Sequence, residues 1–139
     1  MTCREYIAYE IDNSGFQLDK VLDGLKAEHL DHQLTDKAMT PREILLHLAE
    51  AYLAFVTETE GGKHEWGTFQ PSDRGWEGVL KQFREQRAKA VAAAMSAQDD
   101  TQLKHAHNYI VAHDYYHVGQ LALLRVQLDP NWDPYSIYQ

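Results

Sequence analysis

Apolar residues recur along this chain at intervals of three and four, the spacing that gathers them on one face of a helix. No segment alternates at period two as a half-buried strand would. Four segments carry the pattern. The first, Arg4 to Glu28, steps through Ile7, Ile11, Leu18, Val21 or Leu22, and Leu25, with a turn or kink expected at Asn13-Ser14-Gly15. The second opens on Thr40-Pro41-Arg42-Glu43. There threonine offers an N-cap oxygen, proline takes the first helical position where its missing N–H costs nothing, and glutamate stands three residues past the cap. Its stripe of Ile44, Leu48, Ala51 and Phe55 encloses His47 and should end near Glu60-Gly61-Gly62.

The third segment, Trp76 to Ala97, presents Val79 or Leu80, Phe83, Ala90, Val91, Ala94 and Met95. The fourth, Thr101 to Leu128, is the most regular, running Leu103, Ala106, Ile110, His113, His117, Leu121, Leu124 and Leu128. Between the second and third lies a long polar connection, Gly61 to Gly75. Connections of that length usually serve as lids or pack back on the domain, and Trp66 and Phe69 favour packing. The tail from Asp129 to Gln139 is aromatic enough to pack as well. Four amphipathic helices bury their stripes most simply against one another, so the pattern predicts an all-α fold, a four-helix bundle in a single domain spanning residues 1–139.

Composition narrows the function. The 139 residues include 13 basic and 21 acidic side chains, a formal charge of −8 that would repel a phosphate backbone and excludes nonspecific nucleic-acid binding. The lone Cys3 makes no internal disulfide, and neither a leader pattern nor an apolar run long enough to span a bilayer is present. The expectation is a cytoplasmic protein that contacts neither membrane nor nucleic acid.

The chemistry-bearing feature is His113-Asp-Tyr-Tyr-His117, two imidazoles in slots where aliphatic residues are expected. Residues four apart lie about 40° from each other around a helix, so both rings can face one ion. A divalent metal such as zinc wants at least three protein ligands, and His47 on the inward stripe of the second segment is the candidate third. Three imidazoles leave coordination positions open for water or substrate. Glu43, Asp114, Tyr116 and Gln120 are the polar or aromatic neighbours that could orient the rings or meet a substrate, although Asp114 points about 100° away from His113 and could serve only a neighbouring helix. His29 and His32 are expected exposed near the end of the first helix, and His105 and His107, two apart, cannot share a face. No Glu-x-x-His pair, His-Glu-x-x-His motif, nucleophile elbow or phosphate loop is present, and Cys3 has no activating neighbour.

Ile44-Leu-Leu-His-Leu-Ala-Glu-Ala-Tyr52 together with His113-Asp-Tyr-Tyr-His-Val-Gly-Gln-Leu-Ala-Leu-Leu-Arg125 resembles the DinB-like, or YfiT-like, superfamily of bacterial proteins, over about Leu18 to Leu128. The resemblance implies a four-helix bundle of DinB-like topology, commonly a homodimer, in which His47, His113 and His117 bind a divalent metal. Zinc or nickel is the first expectation, with iron or manganese as alternatives. Characterised relatives include bacillithiol S-transferases and mycothiol-dependent maleylpyruvate isomerase, so the resemblance also implies a small-molecule substrate and a low-molecular-weight thiol cosubstrate. Two readings stand side by side: a metal-dependent enzyme that activates a thiol for S-transfer or water for hydrolysis, and a non-catalytic bundle that holds a metal or small ligand for sensing or stress response.

Overall fold

Each helix but one begins where the sequence supplies an oxygen to cap it. In the computed structural model, which describes residues 1–138, Thr2 accepts from the Glu5 amide at 3.2 Å while the Glu5 carboxylate accepts from the Thr2 amide at 2.6 Å, a reciprocal box that opens α1 (Cys3–Leu22). Thr40 accepts from the Glu43 amide at 3.1 Å and opens α2 (Pro41–Thr59) with proline in its first turn. Asp99 accepts from the Gln102 amide at 2.8 Å to start the last helix. Only α3 (Trp76–Met95) starts from a glycine, Gly75, without a side-chain cap. Removing the Thr40 oxygen leaves an orphan amide in a partly buried turn. Thr40→Ala is therefore expected to lose about 1 kcal/mol, seen as a lower urea midpoint at unchanged slope; an unmoved midpoint would mean that Pro41 alone sets the helix start.

Helix α1 is shorter at its end than the apolar spacing predicts. Asp23 is extended and Gly24 takes φ +81°, a conformation open to glycine, so the chain turns there and a short 3₁₀ turn, Ala27–His29, follows. His29 and His32 thus lie beyond the helix rather than in its last turn, and both are half-buried rather than exposed. Helix α1 runs unbroken through Asn13-Ser14-Gly15, so no turn interrupts it there, and these residues are used for packing. Ser14 is buried and donates to the Asp114 carboxylate of the last helical run, while Gly15 admits Arg87 so closely that a Cβ there would lie 2.8 Å from its guanidinium.

The last helical run has three parts: Asp100–Ala106, a π-helical turn at His107–Val111, and Ala112–Leu128. They follow without a break and are together called α4. In the π turn the Ala112 amide reaches back five residues to the His107 carbonyl, so the turn holds one residue more than an α turn and the buried face beyond it is broadened by one neighbouring column. Leu103, Ala106 and Ile110 are buried as the spacing predicts, but beyond the turn Asp114, Val118 and Arg125 are buried too, and His113 sits half-exposed on the flank.

The chain is all-helical, with no strand among the described residues. Helix α2 packs most extensively on α3, and α1 on the C-terminal part of α4, as in a helical bundle. Tyr52, Phe55, Ile11, Leu18, Leu48, Ile110, Leu121 and Leu124 fill the centre. The tail packs as expected through half-buried Trp132 and Ile137, while Tyr135 and Tyr138 stay exposed. No helix among the described residues is long and apolar enough to cross a membrane.

Candidate metal centre

Helix α2 presents His47 across the bundle from His113 and His117 on α4. One ring nitrogen of each lies within 4.8 Å of the others. The Nε2 atoms of His47 and His113 are 3.0 Å apart, a separation that two nitrogens bound to one ion at about 2.0–2.1 Å readily adopt. The three ring centres form a tight triangle with sides of 4.9, 5.1 and 5.1 Å.

The protons on these rings follow from their partners. His117 Nδ1 is 2.6 Å from Gln120 Oε1, an oxygen that only accepts, so Nδ1 carries the hydrogen and Nε2 carries a lone pair. That Nε2 is buried and has no hydrogen-bond partner. A buried nitrogen lone pair without a donor costs free energy unless something occupies it, and a divalent metal shared with the neighbouring rings fits. The His113 ring is similarly engaged by the backbone of Tyr109, one turn earlier.

All three rings are held neutral, the form that binds metal. Burial pushes His117 down to about 4, with the Gln120 bond opposing and the two neighbouring imidazoles assisting. Burial also lowers His47, against a small opposing pull from Glu50, and lowers His113, where His47 adds to the effect. A set of neutral imidazoles suits borderline divalent ions such as zinc and nickel.

The other sequence candidates divide. Gln120 orients a ring directly. Tyr116 is exposed, with its ring edge-on to His117 at 5.0 Å between centres. Glu43 bonds to Thr40 at the start of α2 and meets the centre only by lining a small cleft beside His47. Asp114 does not orient a ligand at all. It is fully buried and accepts from Ser14 at 2.8 Å, from the Arg87 guanidinium at 2.8 Å and from the Tyr52 hydroxyl. Desolvation raises its carboxyl above the usual carboxylate range, against the pull of Arg87. The neighbouring helices it serves are α1, α2 and α3, so this residue knits the bundle behind the centre.

Sequence reasoning gave no role to a group on the other side of His47. Glu50, one turn along α2, accepts from His64 Nε2 at 2.9 Å and from the Gly67 amide at 2.7 Å. Between them, Trp66 lies 6.2 Å from the His47 ring, 5.2 Å from His64 and 6.4 Å from Tyr109. Phe69 packs onto the core as expected, but Trp66 remains about half exposed. Farther along, Glu58 accepts from Tyr109 at 3.2 Å and pairs with His105 at 3.0 Å. Glu50 and Glu58 are both half-buried on α2, and nothing local in the sequence marks either, because their partners lie in other segments.

Compared with known proteins, the chain matches no protein-family model, no curated protein and no solved structure.

Proposed function

We propose that this chain is a metal-dependent enzyme built on a DinB-like four-helix bundle, with His47, His113 and His117 as the ligands of a divalent ion and a low-molecular-weight thiol, or water, as the group activated there. The observation that carries the reading is the convergence of three neutral imidazoles on one point, with the His117 Nε2 lone pair buried and unpartnered. A homodimeric assembly and a cytoplasmic setting belong to the same reading.

When bound, such an ion acts as a Lewis acid that lowers the pKa of a coordinated thiol or water, so the nucleophile exists at neutral pH. The chain's own residues do the rest. His47, His113 and His117 offer lone pairs from two helices. Gln120 and the Tyr109 backbone fix the His117 and His113 rings, which keeps their orientation when a ligand exchanges. Trp66 covers one flank of His47, and a cleft of about 230 Å³ between α2 and residues 69–74, with His47, Glu43 and Arg74 in its wall, provides room for a small substrate.

The test compares metal-free and zinc- or nickel-loaded protein for consumption of a panel of electrophiles, with and without added thiol. Thiol addition, or failing that hydrolysis, should be accelerated by the loaded form alone. If the loaded protein accelerates neither across a broad panel, the enzyme reading fails and a bundle that holds its metal without turnover is what remains.

A further inference from the structure

Segment 61–75 is too polar to hold itself against the bundle by apolar burial, and only a few of its side chains reach the core. Its middle, residues 64 to 69, is fastened by one carboxylate, while Gln82 of α3 separately ties Ser72 and Asp73. Glu50 has a side chain only 12% exposed and His64 one only 7% exposed, and they pair at 2.9 Å. The Gly67 amide donates to the same Oε1 at 2.7 Å, and the Phe69 backbone also bonds the carboxylate. Burial alone would raise the Glu50 carboxyl; the bonds from His64, Gly67 and Phe69 outweigh it and hold the group below its ordinary value, the signature of an ionised carboxylate that its donors stabilise.

Three donors spaced across residues 64 to 69 leave the intervening Trp66 little freedom. Gly67 at φ +85° makes the turn that returns the chain after it. The indole is thereby set between His47 of α2 and Tyr109 of α4, the residue one turn before His113. The same segment forms the far wall of the cleft beside His47.

We propose that Glu50 is a positioning residue of the centre: by holding residues 64–69 it seats Trp66 against His47 as a wall of the metal site and so sets how fast ligands and metal exchange there. This rests on the metal reading given above. Glu50 touches no ligand nitrogen and acts through the segment it holds. Opening that wall requires breaking charge-assisted hydrogen bonds, so exchange is slow while the latch is closed.

The experiment loads wild-type, Glu50→Ala, Glu50→Gln and Trp66→Ala protein with zinc and follows its transfer to an excess of a coloured chelator. All four are expected to take up the same amount of zinc. Release should be faster by about tenfold or more in Glu50→Ala and Trp66→Ala, and by less in Glu50→Gln, whose amide oxygen still accepts from Gly67. Zinc-loaded Glu50→Ala that releases its metal at the wild-type rate overturns the latch and leaves the metal reading intact; wild-type protein that takes up no zinc overturns the metal reading itself. Amide hydrogen exchange across 64–69 reads the latch without metal. It should accelerate in both Glu50 variants relative to α3, and unchanged exchange would also overturn the proposal. Glu50→Gln, which preserves shape, serves if the alanine variant fails to fold.

Discussion

Protein carrying His117→Ala is expected to lose its metal entirely: untagged wild-type chain reloaded with zinc or nickel should retain about one ion per chain, and the variant almost none. His117 is the best single probe because both of its ring nitrogens are accounted for. Nδ1 is tied to Gln120, and Nε2 is buried with no partner of its own. Two remaining histidines make an incomplete site for a divalent ion, so affinity falls by orders of magnitude rather than by the modest factor that an orienting residue contributes. The folded state should survive, since the change removes a ring that burial already keeps neutral, at a cost in packing of about 2–3 kcal/mol. Elemental mass spectrometry gives the metal content and circular dichroism the fold. Melting supplies an independent reading: an ion that binds only the folded chain, at a hundred times its dissociation constant, adds about 2.7 kcal/mol, which the wild type should gain and the variant should not. Equal metal in the two proteins would return His47, His113 and His117 to ordinary packing residues.

The helices and the inward histidines were legible in the sequence because both depend on local rules. Thr40-Pro41 and the stripe Ile44, Leu48, Ala51 and Phe55 define α2 without any tertiary information, and the four-residue spacing of His113 and His117 puts them on one face of α4. What stayed hidden depends on partners remote in sequence. Nothing near Asp114 announces that Ser14, Tyr52 and Arg87 will meet it, since they come from three other helices. The π turn at His107–Val111 leaves no mark on the apolar spacing, yet it moves Asp114 into the core and His113 to its flank. π turns cluster at functional sites for this reason: they re-aim the side chains that follow. Glu50 reads as a polar helix residue until the segment containing His64 and Gly67 is placed on it.

The Arg87–Asp114 pair offers the second large effect. Arg87→Leu should destabilise the fold by about 3–5 kcal/mol, because it leaves a fully buried carboxylate without its countercharge. Tyr52 and Ser14 would still donate to Asp114, but neither hydroxyl neutralises it. The loss should depend on pH in a defined direction. In the wild type desolvation already raises the Asp114 carboxyl, with Arg87 as the first of the groups that lower it, so removing Arg87 raises it further. A carboxyl whose folded-state pKa lies above its unfolded value favours folding most fully below that unfolded value, and this contribution is lost as pH rises through the folded-state pKa. The deficit of Arg87→Leu relative to wild type is therefore largest at neutral pH and shrinks as the solution is made acidic, because protonation removes the uncompensated charge. Adding Asp114→Asn to Arg87→Leu should restore part of the lost stability at pH 7 and flatten the pH dependence, whereas independent sites would simply add their losses. Urea unfolding of the four proteins of this cycle at pH 7 and at about pH 5 decides the matter. A deficit that is the same at both pH values would mean that water reaches Asp114 once the guanidinium is gone, and that the pair locks the four helices together by shape rather than by charge.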